Sequence, residues 1–376
     1  NSYGMINLPL KGIKVLEFSQ YLSGPSAALR LADLGATVIK VERPGTGDAG
    51  RKLAIKNLWA DDGNSLLFHT INRNKESLIA DLKNTDDKKR IEALLADTDV
   101  LIHNFRPGVM EKNGLGYEDV KQINKRIVYG EISGYGKEGP WKHKPGQDLL
   151  LQSVTGIPYT TGNGDNGPVP FGISVGDIFA GQHLVQGILA ALIRRQKTGE
   201  GALIQTSLME SLLDFQFELL TTYYATGKQP QRSYTNNGHS LLGAPYGLYK
   251  TKNGFIALAM MDIYQLADAI GCEDIKQFGR EEGFSKRDEI KKILGDFFLE
   301  HNSEVWIDYL HEHGLWAMEV LDWEKMMQQP SYKVLKMEQE ITANGKKIIT
   351  TRCPIRINGE ILTSSKPAPA LGENNL

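Results

Sequence analysis

A strand, a helix and a second strand follow one another within the first 42 residues, and this order restricts the fold more than any other feature. Gly12–Phe18 has the short apolar run of a buried strand, and Thr37–Glu42 has the same character. Between them, Ser26–Gly35 places apolar residues at helical spacing and ends on a glycine, as helices often do. Such a unit implies parallel strands joined by a right-handed crossover.

The same alternation continues to residue 132. Asp81–Asp97 predicts a charged amphipathic helix, and Tyr117–Asn124 predicts a shorter one. Val100–Asn104 and Ile127–Ile132 are apolar runs of strand length. Strands that alternate with helices in this way predict an α/β fold with an open, mostly parallel sheet.

The middle of the chain is more helical and then changes character. Helices are predicted at 148–155, 177–195 and 208–226, with a strand at 202–206. Lys228–Ser240 is rich in Gly, Pro, Gln, Asn and Ser, and it predicts a linker or a mobile loop. Beyond this loop, a hairpin-like pair and three helices indicate a smaller α+β domain, and the last segment predicts strands and turns.

Composition excludes several classes of function. The chain has 376 residues and a net charge of -2, so no global basic field favours nucleic acid or an anionic membrane as a partner. No apolar run approaches the ~20 residues of a membrane span. Cys272 and Cys353 form no metal-binding or redox motif, so we expect a reducing, cytoplasmic setting and no bound metal.

Short motifs match patterns of known enzymes without their usual context. Gly45–Gly50 matches G-x-G-x-x-G, but it follows the second strand and opens no apolar helix, which disfavours dinucleotide binding. Gly172–Gly176 matches G-x-S-x-G before a predicted helix, and a serine hydrolase remains a minor hypothesis because the later histidines fall in or beyond the linker. His311 and His313 are two residues apart, so their rings would diverge on a helix and form a poor metal pair.

One carboxylate has unusual surroundings. Asp165 lies within Thr160–Pro170, a segment of glycines, prolines and small polar residues. Glycine lets the backbone approach a ligand, and proline stiffens the segment. A carboxylate on such a loop can act as nucleophile or base when a scaffold holds it. An ordinary solvated turn explains the same composition, because Asp and Gly dominate turns for local reasons.

Cationic side chains follow several of the early strands. In an open α/β sheet the carboxyl ends of the strands converge on one crevice. Cations in that crevice, with Phe105 for stacking, suit a phosphate-bearing nucleotide, whereas scattered surface charge is the alternative. The cations are Arg43, Arg73, Lys75, Arg106 and Lys112.

Taken together, several of these segments resemble the class III CoA-transferases, the family of formyl-CoA transferase, carnitine CoA-transferase and the α-methylacyl-CoA racemases. The resemblance covers most of residues 10–227 and returns at 314–321 and 368–373. It is specific because separate motifs occur in the right order. They are Leu10–Phe18, Ser23-Gly24-Pro25, Leu34–Glu42, Asn72–Lys75, Asn104–Gly108, Ser133–Gly136, Gly176-Asp177 and Lys197–Gly201.

The resemblance implies a fold and an assembly that periodicity alone does not give. It implies an α/β protein with a Rossmann-like large domain built from both chain ends, an inserted smaller α+β domain, and an interlocked homodimer. We therefore expect a large CoA-binding domain, a linker helix and loop, a small domain, and a segment that returns to the large domain. Their boundaries are 5–200, 201–240, 241–329 and 330–376.

The resemblance also implies a coenzyme A site on the loops of the large domain. Coenzyme A would be a substrate as its thioester, and we expect no permanently bound cofactor. The implied contacts are Ser23, Arg43, Arg73, Lys75, Asn104, Phe105, Arg106 and Lys112.

By its position, Asp165 resembles the catalytic aspartate of the transferases. The implied activity is acyl-CoA:carboxylate CoA transfer between an acyl-CoA donor and a carboxylic acid acceptor, through an acyl-aspartyl anhydride and an aspartyl-CoA thioester. Asn236–His239 is the nearest candidate for the glycine-rich loop that shields the anhydride in the family. Leu22 stands where formyl-CoA transferase has a glutamine, so formyl and oxalate groups are poorer candidates.

Two alternatives share this fold. The racemase branch uses a Gly-His-Asp motif and a second aspartate at the place of Asp177, whereas this chain has Gly146-Gln147-Asp148. A glutamine side chain does not titrate near neutral pH, so it cannot cycle a proton, and this disfavours racemisation. A protein that binds coenzyme A without turnover is the second alternative.

Overall fold

The computed structural model describes residues 7–53 and 58–375. Residues 5, 6, 54–57 and 376, which the predicted domains include, lie outside the described residues. The described chain divides into two compact units. The first contains 7–53, 58–151, 174–212 and 334–375, and the second contains 152–173 and 213–333. The second unit thus takes in three segments, 152–173, 213–240 and 330–333, that lie outside the predicted small domain.

Helices and strands alternate through most of the described residues. From the amino end they are β1 (Lys14–Glu17), α1 (Ser23–Asp33), β2 (Thr37–Glu42), α2 (Leu66–Asn72), β3 (Glu76–Ile79), α3 (Thr85–Leu95), β4 (Val100–His103), α4 (Val109–Lys112), α5 (Tyr117–Ile123), β5 (Val128–Ser133), α6 (Asp148–Val154), α7 (Val175–Thr198) and β6 (Ala202–Ser207). Beyond β6 they are α8 (Leu208–Phe215), α9 (Phe217–Thr226), β7 (Gly247–Lys250), β8 (Phe255–Leu258), α10 (Ile263–Ile270), α11 (Arg287–Phe298), α12 (Ser303–Glu312), β9 (Ala317–Glu319), α13 (Trp323–Gln328), α14 (Pro330–Lys333), β10 (Glu338–Ala343), β11 (Lys346–Thr351), β12 (Arg356–Ile357) and β13 (Glu360–Ile361).

The first unit is built on a six-stranded sheet with strand order β3-β2-β1-β4-β5-β6. Every pairing in this sheet is parallel, and Val15 of β1 pairs with Val38 of β2 on one side and with Val100 of β4 on the other. The predicted α/β class with a parallel sheet is therefore confirmed. The strand order reverses between β1 and β4, and ligands of open α/β sheets bind at the carboxyl ends of the strands at such a reversal.

Apolar side chains cover both faces of this sheet, as a parallel sheet requires. Helix α7 packs against α1, β5 and β6 and buries Leu184 and Ile188. A Cβ atom on Gly130 of β5 would lie 3.1 Å from both side chains, so glycine lets the helix approach the strand closely. A cluster that contains Tyr129 of β5 and Ile91 of α3 forms a second core. Each fully buried side chain of this size stabilises the fold by about 1.5–3 kcal/mol.

By length and composition alone, helix α7 could span a membrane, which differs from the expectation that no apolar run in the sequence is long enough. Its surroundings explain the composition. Ala180, Leu184, Ile188 and Leu192 are buried, and the helix packs on two strands of the sheet and on α1. The broad apolar stripe therefore belongs to a core helix of the first unit.

The structure differs from the predicted elements where local patterns are short or interrupted. The sequence does not predict α2 or β3, because seven and four residues are too few to show a period. The helix predicted over 208–226 is two helices, α8 and α9. Gln216 separates them with φ of -100° and ψ of 18°, and its Nε2 donates to the Thr155 carbonyl at 2.9 Å.

The carboxyl-terminal segment contacts the edge of the sheet. The Ser77 amide on β3 donates to Asn374 Oδ1 at 3.0 Å, and the Asn374 amide donates to the Ser77 carbonyl at 2.9 Å. The Ile79 amide donates to Asn375 Oδ1 at 2.8 Å. These bonds cover an edge strand that would otherwise expose unpaired backbone groups.

The second unit has its own core around an antiparallel sheet of order β7-β8-β9. Gly247 pairs with Leu258, so the hairpin predicted after residue 246 is confirmed. Tyr249, Phe298 and Trp306 are buried together with apolar residues of α10, α11 and α12. The Trp306 indole donates to the Phe298 carbonyl at 2.8 Å, so its polar atom is satisfied inside this core.

A group of buried charges lies at the carboxyl end of β1. Lys40 Nζ lies 3.3 Å from Glu17 Oε1 and 2.7 Å from Asp48 Oδ2, and Lys75 Nζ lies 3.0 Å from Glu17 Oε2. Burial opposes the charge on Glu17, but Lys40 and Lys75 hold the pKa of this carboxyl below its ordinary value. Burial lowers the pKa of Lys75 to about 8. These charges therefore depend on one another inside the protein.

Replacing Lys40 with methionine is expected to lower the free energy of unfolding by about 3–5 kcal/mol, because it leaves the carboxylates of Glu17 and Asp48 buried without their shared cation. Urea unfolding followed by circular dichroism measures this change. Lys89→Met is the matched control, since Lys89 is exposed on α3, and it should stay within about 0.5 kcal/mol of the parent protein. A loss below about 1 kcal/mol for Lys40→Met would show that the cluster is not strongly coupled.

The same variant has an expected pH signature. Because the folded pKa of Glu17 is lowered, its contribution to stability is present above the ordinary value of 4.5 and is lost as pH falls through the folded value. Lys40→Met removes one cause of that lowering. The acid limb of its stability curve should therefore be shallower than that of the parent protein.

Candidate active site

A cavity of about 850 Å³ opens at the carboxyl end of the sheet in the first unit. Its wall is formed by the segments that follow β1, β4 and β5, by residues within 142–149, and by the first turn of α7. This is the place where the strand order reverses, and it is the expected ligand position in an open α/β sheet. The wall residues most relevant to chemistry are Ser23, Asn104, Phe105, Arg106, Asp148 and Asp177.

Asn104 connects the two loops that meet at this reversal. Its Oδ1 accepts a hydrogen bond from the Gln20 amide at 2.9 Å, and its Nδ2 donates to the Gln20 carbonyl at 2.7 Å and to Ser23 Oγ at 3.1 Å. Gln20 and Ser23 follow β1, whereas Asn104 follows β4. One side-chain amide thus fixes both loops against each other.

Phe105 lines a second, smaller cavity of about 210 Å³ as well as the larger one. Arg43 and Lys83, which follow β2 and β3, also line the smaller cavity. The Arg43 guanidinium donates to the Gly47 carbonyl at 3.3 Å and to Gln20 Oε1 at 3.2 Å, and the side chain remains exposed. An aromatic ring with two cations nearby suits a ligand that carries both an aromatic base and phosphate groups.

Asp148 and Asp177 meet at the amino end of α7. Asp148 Oδ1 accepts hydrogen bonds from the Gly176 amide at 2.6 Å and from the Asp177 amide at 3.1 Å. Burial, together with the charge of Asp148, raises the pKa of Asp177 to about 7. A carboxyl group with this pKa changes protonation near neutral pH, and its ionised form is more basic than an ordinary carboxylate.

Close glycine contacts bring Asp148 to the cavity. A Cβ atom on Gly134 would lie 2.9 Å from Gly146 Cα, so the end of β5 and the segment before α6 touch through their backbones. A Cβ atom on Gly176 would lie 2.9 Å from Asp148 Oδ1. A side chain at any of these glycines would push the carboxylate away from the amino end of α7.

The predicted coenzyme A contacts do not all lie in one place. Five of them line the two cavities: Ser23, Arg43, Asn104, Phe105 and Arg106. Lys112 is exposed at the last position of α4 and lines neither cavity. The larger cavity also brings in two cations that the sequence analysis does not select, Lys142 and Lys144.

Arg73 and Lys75 point to the interior. The Arg73 guanidinium forms paired contacts with both oxygens of Asp33 on α1. Lys75 Nζ donates to the Pro25 carbonyl on α1 at 2.9 Å and to Asn72 Oδ1 at 2.8 Å. Both cations are buried and line neither of these two cavities, which differs from the predicted direct contact with coenzyme A. The reason is that the turn that carries Arg73 and Lys75 lies against α1. There the Asp33 carboxylate and the Pro25 carbonyl accept hydrogen bonds from the two cations.

Asp165 belongs to the second unit, where it is exposed in a 3-10 turn at Gly164–Asn166. The Gly164 amide donates to the Ser233 carbonyl at 2.8 Å, which ties the turn to the 228–240 segment. Asp165 lines neither cavity. Its assignment as nucleophile stays a prediction.

The 228–240 segment has no regular secondary structure but it is anchored. Lys291 Nζ donates to Ser233 Oγ at 2.8 Å, and the Arg287 guanidinium donates to the Ser240 carbonyl at 2.8 Å. Burial lowers the pKa of Lys291 to about 8. The segment predicted as a linker or a mobile loop is thus held by two cations of α11.

The other motifs lack the geometry of the sites that they resemble. No strand lies between Ser133 and Ser174, a stretch described throughout, so Ser174 does not stand on the strand-to-helix elbow of a serine hydrolase. His311 Nε2 donates to the Ala317 carbonyl and His313 Nδ1 to the Tyr309 carbonyl, each at 2.7 Å. Within the described ranges, no cluster of three His, Cys, Asp or Glu side chains is placed to bind a metal.

Asp177 is the functional candidate that the sequence analysis underestimates. The sequence places it in a family motif, but the composition of the Thr160–Pro170 segment draws attention to Asp165 instead. A usable signal was its position, directly after a glycine and in the first turn of a long apolar helix. Burial and a second carboxylate, which raise its pKa, depend on chain segments that are distant in sequence.

Comparison with known proteins gives agreement along nearly the whole chain. Residues 10–375 match CoA-transferase family III. Human succinyl-CoA:glutarate CoA-transferase is 31% identical, over 97% of this chain and 84% of that protein. Acetyl-CoA:oxalate CoA-transferase of Acetobacter aceti is 32% identical, over 97% of this chain and 93% of that protein.

Solved structures give the same result for the fold. A CAIB/BAIF family protein from Brucella suis has a TM-score of 0.84 and 30% identity, covering 98% of this chain and 97% of that one. Rv3272 from Mycobacterium tuberculosis has a TM-score of 0.83 and 26% identity, covering 97% of each chain. With its cavity at the reversal of a parallel sheet and this agreement in sequence and fold, the chain belongs to CoA-transferase family III and is a CoA-transferase.

Proposed function

We propose that the protein moves coenzyme A from an acyl-CoA to a carboxylic acid through covalent aspartyl intermediates, and that Asp177 is the nucleophile. One observation carries the proposal. A carboxyl group whose pKa is raised to about 7 lines the cavity at the sheet reversal, together with Asn104 and Phe105. Nucleophilic carboxylates need this combination of access to the substrate and enhanced basicity.

The two cavities suit the two ends of an acyl-CoA. The adenine and phosphate groups would occupy the smaller cavity, where Phe105 offers an aromatic face and Arg43 and Lys83 offer positive charge. The pantetheine arm would then pass Phe105, which borders both cavities, and deliver the thioester to the larger one. This placement makes the thioester carbonyl a neighbour of Asp177.

Asp177 and Asp165 are competing candidates for the nucleophile. Asp165 is favoured by its glycine-rich segment and by its sequence position in the family resemblance. Asp177 is favoured by its place in the wall of the cavity and by its environment, whereas Asp165 is exposed in a turn of the second unit. Burial strengthens a nucleophilic carboxylate by removing the water that would stabilise its charge, so we favour Asp177.

The proposed reaction balances in four steps. The Asp177 carboxylate attacks the thioester carbonyl, which forms a mixed anhydride and releases the coenzyme A thiolate. The thiolate attacks the aspartyl carbonyl, which forms an aspartyl-CoA thioester and releases the donor acid. The acceptor carboxylate attacks this thioester, which gives a second anhydride and frees the thiolate again. The thiolate then attacks the acceptor acyl carbon, and the new acyl-CoA leaves while the Asp177 carboxylate is restored.

We propose a small dicarboxylic acid as the acceptor. One relative of this chain is named for succinyl-CoA and glutarate, and another for succinate and glutarate. Arg106, Lys142 and Lys144 line the larger cavity and supply positive charge for a second carboxylate. A monocarboxylic acid would leave these cations without that partner.

Two further parts of the proposal concern assembly and location. The family resemblance implies an interlocked homodimer, and the surface of α9 supports a dimer. This helix has no buried residue in the single chain, and its aromatic residues Phe217 and Tyr224 are 63% and 77% exposed. Exposed aromatic side chains on one helix indicate a surface that a partner covers. Light scattering should give twice the mass of the chain.

We also propose a cytoplasmic location, without nucleic acid or membrane as partner.

The racemase alternative predicts a different product. Gln147 lines the larger cavity beside Asp148, and a glutamine cannot exchange protons with a substrate carbon. Incubation with a branched acyl-CoA in deuterated water, without any acceptor acid, separates the two activities. Deuterium at the α-carbon would favour the racemase, and its absence is expected for the transferase. A protein that only binds coenzyme A would show neither exchange nor transfer.

Replacing Asp177 with alanine is expected to lower kcat by about a thousandfold or more, because the covalent route is lost. Asp165→Ala is the matched comparison and should change kcat by less than about threefold. The assay is transfer from an acyl-CoA panel to dicarboxylic acids, with coenzyme A binding measured separately by calorimetry. Hydroxylamine should trap the acylated aspartate for identification by mass spectrometry. The opposite ranking of the two variants would return the role to Asp165.

The rate should rise with pH through the acid limb. Only the ionised Asp177 carboxylate attacks, so kcat/KM is expected to increase as pH passes its pKa of about 7. Asp148→Asn keeps an oxygen acceptor for the Gly176 amide but removes the neighbouring charge. It should therefore move the acid limb to lower pH, while Asp165→Asn leaves it in place. An unchanged limb in Asp148→Asn would contradict the proposed coupling.

The proposed acceptor class can be tested at Lys144. Replacing Lys144 with methionine is expected to raise KM for a dicarboxylic acid by about tenfold, since one charged contact to the distal carboxylate is lost. KM for a monocarboxylic acid of equal length should stay nearly constant. Lys121→Met is the control, because Lys121 is exposed on α5 and lines neither cavity. Equal effects on both acids would argue against recognition of the second carboxylate.

A further inference from the structure

His103, Glu131 and Gln205 form a row across three neighbouring strands. They occupy paired positions on β4, β5 and β6, with His103 opposite Glu131 and Glu131 opposite Gln205. His103 Nε2 lies 3.2 Å from Glu131 Oε2, and Gln205 Nε2 donates to Glu131 Oε1 at 2.7 Å. Lys137 Nζ lies 2.8 Å from the same Oε1 atom. His103 and Glu131 are only 4% and 7% exposed, so the row is enclosed.

The two ring nitrogens of His103 have different partners, and these fix its tautomer. The backbone amide of Phe105 donates to His103 Nδ1 at 3.2 Å. An N–H group can only donate, so Nδ1 must carry a lone pair. In the neutral ring the proton is then on Nε2, which faces the Glu131 carboxylate. A proton on Nδ1 would place two donors against each other and break the bond to Phe105.

Glu131 is the constant hydrogen-bond acceptor in this row. Burial works against its charge, but hydrogen bonds from His103, Lys137 and Gln205 lower the pKa of Glu131 to about 2. Glu131 is therefore ionised throughout the neutral range and accepts the Nε2 proton of His103. Through this contact the strand row determines which ring nitrogen of His103 is left to accept the hydrogen bond from the Phe105 amide.

The loop that His103 holds forms the border between the two cavities. Asn104, Phe105 and Arg106 directly follow His103 and line the larger cavity, and Phe105 also lines the smaller one. The imidazole stacks on the Phe105 ring, with centroids 6.1 Å apart and 23° between the planes. His103 therefore restrains both the backbone and the ring of Phe105.

We propose that His103 is a positioning residue for coenzyme A binding, which acts by accepting the Phe105 amide proton and stacking on the Phe105 ring, with Glu131 fixing the tautomer. The proposal rests on the proposed function, since it needs coenzyme A to bind beside Phe105. His103 itself lines neither cavity, so it acts through Phe105 and not by contact with the substrate. Its effect should accordingly fall on binding and not on the chemical step.

Substitution by asparagine or by glutamine separates the roles of the two ring nitrogens of His103. In His103→Asn the Oδ1 atom stands in the place of Nδ1 and can accept from Phe105, but the side chain is too short to reach Glu131. In His103→Gln the Nε2 atom stands in the place of the ring Nε2 and can donate to Glu131, but the acceptor for Phe105 is lost. His103→Phe keeps an aromatic ring and loses both hydrogen bonds.

Calorimetry with coenzyme A and steady-state kinetics with one acyl-CoA measure the result. We expect Kd for coenzyme A and KM for the acyl-CoA to rise by about tenfold in His103→Gln and His103→Phe, with kcat nearly unchanged, because an unsatisfied amide frees the loop. His103→Asn should restore both constants to within about threefold of the parent protein, since the acceptor is present. Circular dichroism and thermal melting of each variant report whether it is folded.

Three results would overturn the inference. Equal coenzyme A affinity in the folded Asn and Gln variants would show that the Phe105 hydrogen bond does not position the site. A fall in kcat at constant KM would place the role of His103 in chemistry instead of binding. Failure of the unmodified protein to bind coenzyme A would remove the proposed function and this inference with it, and it is distinguished because it does not depend on any variant.

The tautomer of His103 can be tested on the unmodified protein, without any variant. Nitrogen chemical shifts of ¹⁵N-histidine-labelled protein distinguish a protonated from an unprotonated ring nitrogen. Nδ1 of His103 is expected to be unprotonated at neutral pH, with the proton on Nε2. A protonated Nδ1 in the free protein would contradict the hydrogen bond from Phe105 and with it the positioning role.

Discussion

Most of the first unit depends on the ion pairs that the buried Glu17 carboxylate forms with Lys40 and Lys75. Glu17 ends β1, and through Lys40 and Lys75 it is coupled to β2 and to the turn that precedes β3. Removing charges from water costs several kcal/mol per ion, so this group is stable only when all of its partners are in place. The charges therefore specify which strand ends lie together, while the apolar strands supply the stabilisation. Arg73 is used in the same way, since it binds Asp33 on α1 and stays inside the protein.

The carboxyl edge of the sheet becomes a site because the strand order reverses there. Chain segments after β1 and β4 leave in opposite directions, and the gap between them has no crossover to fill it. Asn104 holds the two sides together with three hydrogen bonds, and Phe105 beside it separates two cavities. A rigid loop that borders both cavities suits a long ligand with chemically different ends. Coenzyme A is such a ligand, and membership of CoA-transferase family III agrees with this geometry.

The two candidate aspartates show what a local sequence pattern reports and what it leaves out. Asp165 has the composition of a functional loop, but the same residues favour an ordinary turn, and it is an exposed turn in the structure. Asp177 sits in a helix with a strong apolar stripe, which is typical of a core element. Its distinctive chemistry comes from burial and from Asp148, which is 29 residues away in the chain. Neither cause is visible in a local window of sequence.

The sequence by itself determined the parallel α/β class and the position of most strands, because apolar runs of strand length alternate with amphipathic helices. It also determined the family, because several motifs occur in order along the chain. The tertiary structure decided which cations reach a cavity and which are buried, the break at Gln216, and the environment of Asp177. These depend on contacts between segments that are distant in sequence, such as Asn104 with Gln20 and Lys75 with Glu17. Periodicity reports which face of an element is apolar, but pKa and access to a ligand are set by the neighbours that folding supplies.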